Sequence, residues 1–278
     1  MSGGHDRVRD EWQGVASGWR RWEPLFQSFA WPLALRMATA AEIGAGQRVL
    51  DVGCGIGDPT LQVAVLTGPH GRVLGIDLAE GMIDIARERA AALGLAHVEL
   101  RVADVATIPL VEESFDAVIG RWSLIYVDDV PGVLARLRTA LVPGGRIAVS
   151  AWAPPEVNPW FTVPLDALGR IRPLPPANPD VPGVFHLSAD GALARALVTA
   201  GFQSVDQERV VLSQLAHDAG EFWGMMTDTA GPLAPLVAGL SAEERARAAA
   251  DVAVGLERFR SGDVLRIPAQ AQLAWGRV

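Results

Sequence analysis

Val49-Leu50-Asp51-Val52-Gly53-Cys54-Gly55-Ile56-Gly57 decides how this chain is read. A hydrophobic run with an acidic residue near its end passes into three glycines at alternate positions. Glycine backbones turn tightly and let a ligand approach where a Cβ would otherwise stand. A helix expected to open near Asp58–Thr60 aims its free N–H groups at the same place, which suits a carboxylate or phosphate. Asp58, followed by Pro59, stands where a dinucleotide-binding G-x-G-x-x-G carries its third glycine. Asp51 adds negative charge two residues before the first glycine. That charge is an awkward neighbour for a pyrophosphate and suits a positive ligand group, such as an amino-acid moiety or a sulfonium. A nicotinamide-dependent oxidoreductase is the disfavoured reading at this point.

Around that loop, short apolar runs alternate with amphipathic stretches. Arg48–Val52, Arg72–Ile76, Val98–Val102, Phe115–Ile119 and Arg146–Ala151 read as buried strands rich in Val and Ile. Between them, Asp58–Thr67, Glu80–Leu93 and Asp129–Leu141 read as helices. This alternation predicts an α/β fold, a doubly wound and mostly parallel sheet covered on both faces. From Pro154 to Pro182 nine prolines interrupt the pattern, too many for a regular element, and the stretch is too apolar for a linker. It reads as an ordered cap. Ser188 is expected to cap a helix running to Ala200, and Phe202–Leu212 reads as a strand. Ala219–Met226 and Ser241–Phe259 read as helices, and Val264–Val278 as a last strand. The organisation expected is a helical arm or lid (1–45), a ligand-binding core (46–152), a proline-rich cap (153–187) and a C-terminal completion of the sheet (188–278).

The chain's 278 residues carry 24 Lys+Arg against 32 Asp+Glu, a net charge of −8 that argues against nucleic-acid or anionic-membrane partners. The single cysteine, Cys54, excludes a disulfide framework and any cysteine-cluster zinc site. No apolar run approaches the length of a membrane span, and Met1–Glu11 is too polar for a signal peptide. A cytoplasmic protein, monomeric or homodimeric and needing no metal, is expected. In the arm, Trp12, Val15, Trp19, Trp22 and Phe26 recur at offsets of 3, 4, 3 and 4, one helical face. That face either packs an arm onto the core or lines a lid over an apolar pocket.

Four motifs in order carry a family resemblance. They are the VLDVGCGIG stretch, Val73-Leu74-Gly75-Ile76-Asp77, Val102-Ala103-Asp104-Val105, and Phe115–Trp122 with the turn Leu141-Val142-Pro143-Gly144-Gly145. Over residues 46–152 the chain resembles the class I S-adenosylmethionine-dependent methyltransferases, more narrowly the ubiquinone/menaquinone biosynthesis-type branch. The resemblance implies a seven-stranded Rossmann-like sheet, S-adenosyl-L-methionine as cofactor and S-adenosyl-L-homocysteine as product. It implies that the Asp77 carboxylate binds the ribose hydroxyls, and that Asp104 and the Val105 N–H meet the adenine. The cofactor set it implies is Asp51, Gly53, Cys54, Gly55, Gly57, Asp77, Leu78, Met82, Asp104, Val105 and Arg121, joined by Trp22 of the arm.

The expected function is methyl transfer to a small, largely apolar molecule, oxygen slightly ahead of carbon or nitrogen. The alternative in another class is a cofactor-binding protein without transfer chemistry. Trp19, Trp122, Tyr126, Trp160, Phe161 and His186 are the candidates for substrate contact. Ligands bind at the carboxyl ends of strands in open parallel sheets, and His186 or Tyr126 is the candidate catalytic base. Asp128 and Asp129 read as helix caps rather than magnesium ligands.

Overall fold

The Val- and Ile-rich runs around the glycine loop cannot leave either face in water, and in the computed structural model they pair side by side under helices. The structure describes residues 2–174 and 181–278, with side chains from residue 6 onward. Strands β1 (Arg48–Val52), β2 (Arg72–Asp77), β3 (Val98–Val102), β4 (Phe115–Arg121) and β5 (Leu141–Trp152) are mutually parallel where they pair. Strands β6 (Gln203–Ala216) and β8 (Val264–Arg277) complete the sheet antiparallel to their neighbours, and the two-residue β7 (Arg260–Ser261) pairs only with β8. The order is β3-β2-β1-β4-β5-β8-β6. It reverses between β1 and β4, the position where open α/β sheets form a ligand crevice beyond the carboxyl ends of their strands. The expected doubly wound, mostly parallel sheet is thus the one observed.

Helices α1 (Ser2–Arg21) and α2 (Glu23–Ala40) precede the sheet. Between strands lie α3 (Thr60–Thr67), α4 (Glu80–Ala92) and α5 (Val130–Ala140). After β5 come α6 (Pro159–Gly169), α7 (Ala192–Thr199), α8 (Ala219–Thr229), α9 (Ala234–Ala238) and α10 (Ala242–Leu256). Asp129 caps α5, its carboxylate accepting from the Gly132 N–H at 2.9 Å, as its sequence position suggests. The core joins Leu33 and Met37 of α2 to Val49, Leu50, Ile119, Ile147 and Val149 of the sheet.

Three local expectations are corrected. The proline-rich stretch does hold a regular helix, α6. Pro159 opens it at a position whose N–H has no intrahelical partner, and Pro164 gives up one ladder bond. Burial of Trp160, Phe161, Val163, Ala167 and Leu168 outweighs that loss. The rest of that stretch, 175–180, lies outside the described residues. Ser188 caps nothing: α7 begins at Ala192 after Gly191, which takes φ 74°, and the Ser188 carbonyl instead accepts from the buried Gln272 amide. The arm is not one helix. Pro24, in the first turn of α2, lacks the N–H a continuous helix requires, and the chain breaks at Trp22.

Helix α10 shows the reciprocal capping that its sequence encodes. Ser241 Oγ accepts from the Glu244 N–H at 3.2 Å, and the Glu244 carboxylate accepts from the Ser241 N–H at 2.7 Å. Ser241→Ala is expected to cost about 1 kcal/mol. In calorimetry that lowers Tm by roughly 2–4 °C; an unchanged Tm would mean the cap adds nothing.

Candidate active site

The strand ends converge on one cavity of about 1450 Å³, counted to its open mouth. Its polar end is the glycine loop. Gly53, Gly55 and Gly57 all take positive φ (69°, 52° and 99°), which only glycine adopts at little cost. The Gly53 and Cys54 N–H groups bond the Ile76 carbonyl at 2.8 and 2.9 Å, tying the loop to β2. A Cβ on Gly53 would strike Ser123 at 2.4 Å, and one on Gly57 would meet Leu61 at 3.1 Å. A Cβ on Gly55 would meet nothing within 4 Å and would stand in the cavity. Gly55 therefore offers bare backbone to a ligand.

Asp77, at the end of β2, lines the cavity while fixing this loop. Its carboxylate accepts from the Gly55 and Ala79 N–H groups, both at 2.9 Å. Burial pushes its pKa up, and the backbone N–H bonds work against that shift. Each oxygen keeps a lone pair for a ligand. Leu78, Met82, Asp104, Val105 and Arg121 line the same cavity. Asp104 accepts from the Ala106 N–H at 2.8 Å, so it holds a turn and still faces the cavity. Arg121 donates to the Asp58 carbonyl at 2.8 Å.

Four residues expected at the cofactor do not line the cavity. Asp51 is fully buried beneath the loop, accepting from Thr60 Oγ1 at 2.6 Å, and it anchors α3 to β1. Cys54 packs downward among Leu61, Ile83 and Leu100, and Gly57 lies over Leu61. Trp22 is turned away by the break before α2, and its indole N–H bonds Asp228 at 2.9 Å. Asp58, read only as a replacement for a third glycine, does line the cavity and pairs with Arg89 at 3.0 Å.

Burial lifts the Asp51 carboxyl from 3.8 to about 7, against the Thr60 hydrogen bond and the Arg121 charge, which lower it. The folded state therefore holds a proton that the unfolded chain releases between pH 3.8 and about 7, and stability falls as pH rises through that window. Relative to Asp51→Asn, the wild type should lose up to about 4 kcal/mol between those values and nothing more above them. Denaturant titrations of both proteins at several pH values measure this; parallel curves would mean Asp51 is ionised throughout.

The far end of the cavity is aromatic. Trp122, just past β4, takes φ 55°, a left-handed conformation that is costly for a bulky side chain. Its ring stacks on Trp152 at 4.1 Å and 11°, and Trp152 meets Trp160 at 4.4 Å. Asn158 sets Trp160, accepting its indole N–H at 3.0 Å while its amide nitrogen holds the Ala153, Pro154 and Gln270 carbonyls. Opposite stand Trp12 and Trp19 of α1 and Phe26 of α2. Trp12 meets Tyr126 edge-on at 5.3 Å, and the Trp19 indole bonds the Thr229 carbonyl at 2.9 Å. Trp19, Trp122, Tyr126, Trp160 and Phe161 thus share one chamber. His186 does not line it. Its Nδ1 lies 3.1 Å from the Ile125 carbonyl, behind the wall.

Trp152, Ser123, Met226 and Thr229 also line the chamber and were not singled out from the sequence. An aromatic at the carboxyl end of a strand was a usable signal for Trp152; α8 gave none. Among the described residues, no group of three His, Cys, Asp or Glu is placed to hold a metal, and no helix is long and apolar enough to cross a membrane.

Residues 43–164 match the profile of a methyltransferase-domain family. Aklanonic acid methyltransferase DauC of Streptomyces sp. (strain C5) is 39% identical over 148 residues, 53% of this chain and 62% of the relative. Nocamycin O-methyltransferase of Saccharothrix syringae is 34% identical over 183 residues, 63% of this chain and 65% of that one. The matched region thus spans less than two thirds of either relative. In fold the chain is similar to Haemonchus contortus phosphoethanolamine N-methyltransferase 2, with a TM-score of 0.61 and 19% identity, covering 99% of this chain and 60% of that one. Residues 43–164 thus match a methyltransferase domain, on a sheet whose strand order and glycine loop are in keeping with that match.

Proposed function

We propose that this chain transfers a methyl group from S-adenosylmethionine to a small, largely apolar molecule, with oxygen as the favoured acceptor atom. The observation that carries the reading is the division of one cavity into a glycine-loop end bounded by Asp77 and Asp104 and an aromatic end bounded by Trp122, Trp152 and Trp160. Nocamycin O-methyltransferase is the relative that supports oxygen. Bound S-adenosylmethionine supplies an already activated methyl group. The residues at the first end fit that molecule: Gly55 leaves room for close backbone approach, and the Asp77 carboxylate suits a pair of ribose hydroxyls. In this reading Asp104 accepts from the adenine amino group, and Leu78, Met82 and Val105 line the same cavity. A pyrophosphate fits badly, because the Asp58 and Asp77 carboxylates face the same space. The aromatic end excludes water and presses a flat acceptor toward the methyl position. Formation of S-adenosylhomocysteine with a panel of small apolar acceptors tests the proposal. A protein that binds the cofactor but consumes none of it with any acceptor would be a binding protein instead.

In this reading α1 is a lid. Val15 and Ala16 pack on Ile56 and Met82 beside the glycine loop, and Gln13 accepts from the Gly81 N–H at 2.9 Å. On the other side, Arg21 and Trp22 both bond Asp228 of α8. Deleting residues 1–22 opens the chamber and should cut turnover on the order of 100-fold, the scale of a misplaced reactant. The sheet should stay folded by circular dichroism. Full activity in the truncated protein would reduce α1 to packing.

A further inference from the structure

A buried indole N–H usually finds an acceptor, because a donor left without one keeps the full cost of its lost hydration. Two tryptophans of the chamber obey this. Trp160 donates to Asn158 Oδ1 at 3.0 Å, and Trp19 donates to the Thr229 carbonyl at 2.9 Å. Trp122 does not. Among the described residues its Nε1 is buried without a hydrogen-bond partner, although Trp122 lines the cavity. Asp51 Oδ1 and Gln62 Oε1 are buried without partners too, but neither residue lines the cavity. Ser123 Oγ is a further case, and it belongs to the glycine-loop end, where Ser123 stands against Gly53. The Trp122 ring is firmly held. It stacks on Trp152 at 4.1 Å, the Arg121 guanidinium lies over it 5.2 Å from its centre, and its backbone N–H bonds Ser150 Oγ at 3.1 Å. With its faces so engaged, the edge that carries Nε1 is what Trp122 has left for a ligand. Its left-handed φ of 55° is a second cost at the same residue. Both costs fall on one cavity-lining side chain, where a bound molecule can offset the first.

We propose that the Trp122 indole N–H is the specificity-determining donor of the chamber, and that the acceptor molecule meets it with a neutral carbonyl oxygen distinct from the atom that takes the methyl. The inference rests on the methyl-transfer reading above. An indole N–H donates and cannot accept, so the group opposite it must be an acceptor. A hydroxyl there would carry its own hydrogen into an apolar wall and need a further partner. A carbonyl carries none. A molecule without that carbonyl leaves the N–H unpaired. Sites built to bond a substrate group reject analogues lacking it far more sharply than apolar pockets reject a change of size. Trp122 therefore sets which molecule is held, while the cofactor supplies the methyl.

The test uses the full chain loaded with S-adenosylhomocysteine and a set of acetyl-2-naphthols that carry the ketone at different ring positions. Each is paired with the isopropenyl-2-naphthol of the same outline, in which C=CH2 replaces C=O. Calorimetric affinities are compared within each pair for the wild type and for Trp122→Phe. A third protein carries 3-benzothienylalanine at position 122, an isostere that keeps the ring's shape and replaces the N–H with sulfur. The wild type should bind at least one ketone roughly tenfold to a hundredfold tighter than its alkene. That ratio should collapse toward one in both replacements. No preference in the wild type for any pair, a preference that persists without the N–H, or a loss that falls on S-adenosylmethionine affinity rather than on the ketone would overturn the proposal. With S-adenosylmethionine as cofactor, equal product formation from both members of every pair would also overturn it while leaving methyl transfer intact. Cofactor binding with no product from any acceptor would remove both.

Discussion

Gly55→Val is expected to abolish cofactor binding in a protein that still folds. The backbone at Gly55 takes φ 52°, and the Cβ position is clear of every protein atom within 4 Å while lying on the cavity. A valine there does not collide with the fold. It places two methyl groups in the space where a ligand must meet bare backbone. Its left-handed conformation costs about 1–2 kcal/mol, which a 278-residue fold with this core survives. Calorimetric titration of S-adenosylmethionine into the variant should give no binding heat, while far-ultraviolet circular dichroism stays that of the wild type. Normal affinity in the folded variant would mean that the glycine loop faces something other than the ligand. The same substitution at Gly53 is a poorer test, because a Cβ there strikes Ser123 at 2.4 Å and disturbs the loop itself.

Asp77→Ala should be nearly as damaging, for two reasons that add. The carboxylate is the acceptor for the Gly55 and Ala79 N–H groups, so its removal leaves two loop donors without partners. It also removes the oxygens proposed to hold the ribose. Each lost hydrogen bond to a charged group is worth about 1.5–3 kcal/mol, so affinity should fall at least tenfold to a hundredfold. Asp77→Asn separates the two effects. It keeps one acceptor oxygen for the loop and halves what the ribose can bond, so its loss should be intermediate. Unchanged calorimetric affinity in folded Asp77→Ala would remove this residue from the site.

The sheet and the glycine-loop end of the cavity were legible because their signals are local. Strand, acidic end and glycine turn occupy nine consecutive residues, Val49–Gly57; Asp77 ends the apolar strand β2, and Asp104 follows β3 by two residues. What the sequence could not convey is which way a side chain leaves the backbone. Asp51 belongs to the same motif as Gly55, yet Thr60 draws its carboxylate beneath the loop. Trp22 fits the helical stripe of Trp12 and Trp19, but the stripe assumes a continuous helix, and Pro24 ends that continuity. Trp122, Trp152 and Trp160 sit just past β4, at the end of β5 and in α6, so their stack exists only once the sheet brings those ends together. His186 was a reasonable base by its chemistry alone, and the fold gives its Nδ1 a carbonyl partner behind the chamber wall.

The central claim is that the glycine loop, Asp77 and Asp104 hold S-adenosylmethionine, and calorimetry on the unmodified chain tests it most directly. Titrated separately with S-adenosylmethionine, S-adenosylhomocysteine and NAD⁺, the protein should bind the first two with one-to-one stoichiometry and give no heat with the third. Binding of NAD⁺ with no response to either sulfur compound would contradict the account.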